Sequence, residues 1–172
     1  MGLPRRYQQP AWNRTCRYAY HRLTRMQGSS EAIARGLAAG VLSGWFPWFG
    51  FQIIVAVAIA TLLRGNRLAA AAATWVSNPF TYVPIFAFNF RVGSWLLGNR
   101  FPEVRISNIT TWEAVADLGA DLMLPLLLGC VVVGTGMSLL TYICSLRLIN
   151  KARYRRQLRR LVRRNKLIRP RE

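Results

Sequence analysis

The stretch Gly36–Leu63 reads GLAAGVLSGWFPWFGFQIIVAVAIATLL and carries no charge over 28 residues. Two similar stretches follow, the 23 residues of Leu68–Phe90 and the 25 residues of Leu122–Leu146. About 20 apolar residues form a helix long enough to cross the hydrocarbon core of a bilayer. All charged residues lie outside the three stretches. The sequence therefore predicts an all-α integral membrane protein.

The first stretch is interrupted near its centre. Pro47 cannot donate a backbone hydrogen bond, and Gly50 permits the dihedral angles of a turn. The flanking helices are each about 20 Å long, whereas the hydrocarbon core is about 30 Å thick. Residues 31–63 therefore either cross once as a broken helix or turn at Pro47 and return. Excess Lys and Arg mark the cytoplasmic side, so a re-entrant hairpin is favoured because it keeps Arg64 and Arg67 there.

The second stretch repeats this design. Pro79 interrupts it, and the apolar sequence then continues to Leu97. The third stretch crosses back, which gives two transmembrane helices besides the hairpin and leaves both termini in the cytoplasm. Paired apolar segments interrupted by Gly or Pro are a pointer to the binding sites of membrane transporters.

The basic residues are concentrated at both ends of the chain. Lys and Arg number 24 against 6 Asp and Glu, which gives a net charge of +18. We expect residues 1–28 to form a basic interfacial arm, residues 29–149 the membrane domain, and residues 150–172 a basic amphipathic cytoplasmic helix. Basic segments of this kind bind anionic lipids. Nucleic acid is the weaker alternative, because basic tails bind it non-specifically through phosphate neutralisation.

Gly36, Gly40 and Gly44 recur every four residues and therefore line one face of the first helix. Small residues at this spacing let a second helix approach closely in lipid. We interpret the three glycines as a helix-packing face. Further small residues in the third stretch indicate a homo-oligomer or a membrane-protein partner.

Several short motifs resemble those of a known family. They are Glu31–Gly36, the Phe46-Pro47 turn before Gln52, Leu63-Arg64-Gly65-Asn66 and, above all, Trp75-Val76-Ser77-Asn78-Pro79-Phe80-Thr81. Across roughly residues 20–148 the chain resembles the bacterial membrane family catalogued as domain of unknown function 2062. The resemblance implies a small helical protein of the bacterial inner (plasma) membrane. It implies no activity.

The sequence contains no recognisable motif of catalytic residues. It has no HExxH motif, no paired cysteines, no nucleophile motif and no phosphate-binding glycine loop, and its only histidine, His21, lies in the basic arm. We therefore expect no enzymatic activity, no cofactor and no metal site.

Polar residues within the apolar stretches are better candidates for a functional site, because buried polar groups in lipid need hydrogen-bond partners. If the two interruptions meet near the bilayer midplane, backbone groups freed by Pro47 and Pro79 would line a small cavity. The helix after Asn78 would direct its positive end there, which suits an anion. Alternatively, Ser77 and Asn78 cap a helix and hydrogen-bond within the bundle. The candidate polar membrane site comprises Gln52, Ser77, Asn78, Thr81, Asn89 and Arg91.

Two functional hypotheses follow from these features. The interrupted helices and their polar residues favour a transport or translocation component for a small anion or a lipid headgroup. The glycine face and the basic termini favour a non-transporting scaffold or assembly factor of a larger membrane complex.

Overall fold

The computed structural model describes residues 26, 28–48, 50–98 and 112–168, with side chains in the last range for 122–159, 161 and 162. Nearly all of the predicted basic arm, 1–28, lies outside the described residues. The part of the chain that is described contains α-helices and no β-strand, which confirms the all-helical prediction. The elements are α1 (Ser30–Gly44), α2 (Gln52–Leu62), α3 (Arg67–Ala73), a 3₁₀ helix (Thr74–Val76), α4 (Pro79–Leu96) and α5 (Trp112–Ile168).

Polar side chains define where three of the helices begin. The Ser29 hydroxyl accepts a hydrogen bond from the Ala32 N–H at 3.1 Å and caps α1. The Asn66 side-chain oxygen accepts from the Ala69 N–H at 2.9 Å and caps α3. Asn78 caps α4, whose first residue, Pro79, occupies the position that proline favours at a helix start.

α1 and α2 form an antiparallel pair. Near the turn, the Ser43 hydroxyl donates to the carbonyl oxygen of Gln52 at 2.7 Å. At the far end of the pair, the Asn66 N–H donates to the carbonyl oxygen of Ala32 at 2.7 Å. Between the helices, Gly50 has φ +89, a conformation that side-chain-bearing residues rarely adopt. The chain therefore reverses direction at the interruption and returns to the level at which α1 began.

α3 covers the glycine face of α1. A Cβ atom on Gly36 would overlap the backbone of Asn66, and one on Gly40 would overlap the backbone of Ala70. Further along, a Cβ atom on Gly44 would lie 3.0 Å from the hydroxyl of Ser77. α1 and α3 therefore run parallel at close range. Because the glycine face is occupied within the chain, it is not available to a second copy.

α5 packs against both α1 and α4. The Ser138 hydroxyl donates to the carbonyl oxygen of Ala38 at 2.9 Å, and Ile149 joins a buried cluster with Ile33 and Ala69. α1 and α5 are therefore antiparallel.

α4 and α5 also cross in antiparallel order, and glycines again allow the approach. A Cβ atom on Gly93 would overlap the carbonyl of Pro125, and one on Gly129 would overlap the carbonyl of Asn89. On α5, the contacts with α4 lie at Pro125 and Gly129. The contact with α1 at Ser138 lies closer to Ile149.

α5 continues without a break for 57 residues, a length of about 85 Å at 1.5 Å per residue. The sequence predicts residues 150–172 to be a basic amphipathic helix that follows the membrane domain. In the structure, residues 150–168 are helical and continue the helix of the third apolar stretch. The physical reason is that the boundary is rich in Arg, Lys, Leu and Gln, which favour helix, and contains neither Gly nor Pro.

Small side chains fill the core and large apolar side chains face outward. Ala39, Ala56, Ala60 and Ala70 form one buried cluster, whereas Phe80 is 92% exposed and Trp75 is 76% exposed. Among the described residues, one helical segment, Leu122–Arg159, is long and apolar enough to cross a membrane, and 22% of its most apolar window is buried. A core helix of a soluble protein would be mostly buried, so the exposed apolar surface of α5 is consistent with a lipid environment.

Candidate polar site

The two interruptions of the apolar stretches meet at Gln52. Its side-chain carbonyl accepts hydrogen bonds from the Ser77 hydroxyl at 3.2 Å and from the Tyr82 hydroxyl at 3.3 Å. Its backbone carbonyl accepts from the Ser43 hydroxyl at 2.7 Å. We call Ser43, Gln52, Ser77 and Tyr82 the Gln52 junction. It joins the end of α1, the start of α2, the residue that follows the 3₁₀ helix and the first turn of α4.

Asn78 and Thr81 form a reciprocal cap beside this junction. The Asn78 side-chain oxygen accepts from the N–H groups of Phe80 and Thr81 at 3.0 and 3.2 Å. The Thr81 hydroxyl oxygen accepts from the Asn78 N–H at 2.8 Å. These reciprocal hydrogen bonds form a capping box at the N-terminus of α4. The N–H groups at the start of α4 thus have a partner within the chain, so they are not the free donors that an anion site at this helix end would need.

Asn89 lies in a second polar cluster where α1, α4 and α5 meet. It is fully buried, and its side-chain NH₂ donates to the carbonyl oxygen of Trp45 at 3.1 Å and to the Cys130 sulfur at 3.2 Å. The Asn89 side-chain oxygen and the Trp45 ring N–H are both buried and have no hydrogen-bond partner among the described residues. We call Trp45, Asn89 and Cys130 the Asn89 cluster.

Five of the six predicted site residues thus fall into three groups. Gln52 and Ser77 share the Gln52 junction, Asn78 and Thr81 form the cap, and Asn89 lies in its own cluster. The sixth, Arg91, is exposed on α4 and belongs to none of the three groups.

Four contributors were missed by sequence reasoning. For Tyr82 the sequence held a signal, because it lies one helical turn after Asn78. Ser43 and Trp45 immediately precede the first interruption and could have been included on position alone. Cys130 gave no signal, because a single cysteine in an apolar stretch is indistinguishable from a small core residue.

Both polar groups are built from neutral hydrogen-bonding side chains. The Gln52 junction offers hydroxyl and amide groups, and the Asn89 cluster offers an orphaned amide oxygen and an indole N–H. Within the described residues, no group of three or more His, Cys, Asp or Glu side chains could hold a metal ion. The described arrangement is suited to hydrogen-bonding a polar group in an apolar surrounding.

Fold and site together define a class of small all-helical proteins with interrupted helices, an alanine- and glycine-rich core and an apolar exterior. The chain belongs to the bacterial family described as "uncharacterized protein conserved in bacteria", domain of unknown function 2062, which matches residues 13–158. This confirms the resemblance carried by the Trp75–Thr81 motif. No curated protein and no solved structure matches the chain. The family has no known function, so membership assigns no activity.

Proposed function

We propose that this protein is a multi-pass protein of the bacterial inner membrane, and that its interrupted helices help to move a small anion or a lipid headgroup. In this proposal the α1–α2 pair is a re-entrant hairpin. α3 and α4 together make one interrupted crossing and α5 makes the other. Both termini lie in the cytoplasm.

The distribution of side-chain size supports the membrane placement. Helices that associate in lipid pack through small residues and leave large apolar side chains to the acyl chains. Here the buried clusters consist largely of alanine, whereas Leu62 on α2 and Val83 on α4 are exposed. An aqueous environment would oppose so extensive an apolar surface.

The distribution of charge supports the re-entrant topology. Arg35 Nη2 donates to the carbonyl oxygen of Arg64 at 3.3 Å, which places the start of α1 beside the turn after α2. Arg153 on α5 donates to the carbonyl oxygen of Gly28 at 2.7 Å. We call the end of the bundle formed by the start of α1, the α2–α3 turn and residues 147–153 the basic end. Its charge favours the cytoplasmic side.

The Gln52 junction is the observation that carries the transport proposal. Discontinuous helices that meet inside an apolar bundle are the usual setting of a transporter binding site. The Asn89 cluster adds a buried indole N–H from Trp45 that lacks a partner among the described residues. Such a donor can hydrogen-bond a phosphate or other anionic oxygen. Because the cap of Asn78 occupies the start of α4, this donor and the junction hydroxyls are the better candidates for contact with a substrate.

The topology is tested by cysteine labelling in intact cells. Arg67→Cys would be introduced into a variant whose native cysteines are replaced by serine. A re-entrant hairpin predicts that an impermeant thiol reagent labels position 67 only after the cells are opened, as it would label a cysteine placed at the C-terminus. Labelling of position 67 in intact cells would contradict the cytoplasmic placement of the α2–α3 turn and with it the proposed topology.

The transport proposal is tested with purified protein in liposomes. We expect the wild-type protein to accelerate either the efflux of an anion such as phosphate or the transbilayer movement of a fluorescent phospholipid. Gln52→Leu should lower that rate about tenfold, by analogy with the loss of one buried polar contact. Gln157→Leu is the matched control, because Gln157 is exposed on the distal part of α5. A folded Gln52→Leu protein with the wild-type rate would contradict the proposal.

A scaffold is the second candidate, and the length of α5 favours it. The helix extends past the Ile149 cluster to Ile168 and exposes Tyr154, Leu158, Leu161 and Val162 among basic residues. A rigid basic helix with an apolar stripe fits an acidic partner protein. Stoichiometric co-purification that is lost when the chain is truncated after residue 153, together with an absence of flux in liposomes, would favour this function over transport.

A further inference from the structure

We propose that the basic end contains a binding site for the phosphate group of an anionic phospholipid, centred on Arg35 and Arg64. The site rests on the membrane placement proposed above but does not depend on transport. It also lies apart from the Gln52 junction, since Arg35 and Arg64 meet at the opposite end of the α1–α2 pair.

The backbone at Arg64 is the first observation. α2 ends in a Schellman motif, in which the Gly65 N–H donates to the Ala60 carbonyl oxygen at 2.6 Å and the Arg64 N–H donates to that of Thr61 at 3.1 Å. Arg64 occupies the left-handed position of this motif, with φ 52, where glycine is usual. A side-chain-bearing residue is strained there. A strained residue at a glycine position points to a use for its side chain, and the Arg64 side chain is exposed.

The surroundings of Arg35 are the second observation. Arg35 is partly buried, and its Nε atom is buried without a hydrogen-bond partner among the described residues. A buried donor requires an acceptor. The guanidinium group matches the geometry of phosphate oxygens and can bind two of them at once.

The tight packing of Gly65 keeps the two arginines together. A Cβ atom at Gly65 would lie 2.9 Å from the Gly36 N atom and 3.2 Å from the Arg35 Cβ atom. The α2–α3 turn is therefore pressed onto α1 at the residue that follows Arg64, and the Arg35 side chain reaches the Arg64 carbonyl.

Charge at this end favours an anion. Arg67, Arg147 and Lys151 are exposed at the same end of the bundle. Glu31 is the only acidic residue whose side chain is described, and it lies one helical turn before Arg35. A phospholipid in the cytoplasmic leaflet would present its phosphate at this level of the bundle.

Native mass spectrometry of the full-length protein in detergent provides the test, with phosphatidylglycerol, phosphatidylcholine and inorganic phosphate as separate probes. We expect phosphatidylglycerol to be retained more strongly than phosphatidylcholine. Arg64→Gly should reduce that retention about tenfold, the value expected for one charge-assisted contact. Glycine relaxes the backbone at this position, so Arg64→Gly should melt at the wild-type temperature or above it. Glu31→Gln should strengthen retention.

Two further variants make the result specific. Arg64→Lys keeps the charge and should retain part of the binding, because a lysine ammonium still pairs with phosphate. Arg91→Gln removes one exposed arginine from α4 and should bind as the wild type does. Equal retention by Arg64→Gly and the wild-type protein would overturn the proposal. Displacement of the lipid by an equal concentration of inorganic phosphate would also overturn it, because the site would then be one for free phosphate. Neither outcome would affect the liposome test of transport.

Discussion

Gly129 gives a residue-scale prediction with an internal control. A Cβ atom at Gly129 would overlap the Asn89 carbonyl, whereas one at Gly136 on the same helix would meet nothing within 4 Å. Gly129→Ala should therefore lower the free energy of unfolding by about 1–3 kcal/mol through overpacking. Gly136→Ala should be neutral or stabilise slightly, because alanine favours helix. Thermal unfolding in detergent, followed by circular dichroism, measures both. A Gly129→Ala protein as stable as Gly136→Ala would contradict the α4–α5 crossing.

At the scale of single residues, local contacts can be predicted from the sequence and distant contacts cannot. The Ser29 cap and the Asn78 cap could be predicted, because in each case the capping residue and the N–H groups that it caps lie within four consecutive residues. The partners of Asn89 could not be predicted. Trp45 lies 44 residues away and Cys130 lies 41 away, and no periodicity in one sequence links positions so far apart.

At the scale of elements, the interruptions were predictable and their assembly was predictable only in part. Pro47 and Pro79 fixed where the helices stop, and the glycine spacing identified the packing face of α1. The sequence could not say what covers that face, because a glycine stripe accepts a neighbouring helix or a second molecule equally well. The structure shows α3 in that position. The change in composition near residue 150 does not interrupt the helix, because α5 is continuous from Trp112 to Ile168.

The cap of α4 gives a prediction at this scale. Asn78→Ala removes the acceptor for two N–H groups and should cost about 1 kcal/mol of stability. Asn78→Ser supplies another good capping oxygen and should recover most of the loss. If Asn78 acts only as a cap, the rate of liposome flux should fall in Asn78→Ala and recover in Asn78→Ser, in parallel with their stability. Loss of flux in Asn78→Ser at wild-type stability would show that the amide itself contacts the substrate.

At the scale of the whole molecule, the small residues are buried and the large apolar residues are exposed. This distribution fits the proposed lipid environment. Alanine and glycine form the interfaces, while Leu, Ile, Val, Phe and Trp side chains cover the outside. Composition alone predicted the membrane class, because uncharged stretches of this length are rare in soluble domains. The order of the helices in space follows from close contacts at Gly40, Gly93 and Gly129, which only the folded chain reveals.

The environment of α5 can be tested by placing the same charge at two depths. Leu139 and Leu158 are both exposed on this helix, Leu139 within the apolar stretch and Leu158 in the basic part. In water, Leu→Arg at either position would be nearly neutral, because both side chains already face outward. In a bilayer, Leu139→Arg should cost about 2.5–3.5 kcal/mol of insertion free energy, whereas Leu158→Arg, outside the hydrocarbon core, should cost little. The fraction of protein recovered in carbonate-washed membranes measures this difference. Equal recovery of the two variants would place the apolar face of α5 against something other than lipid.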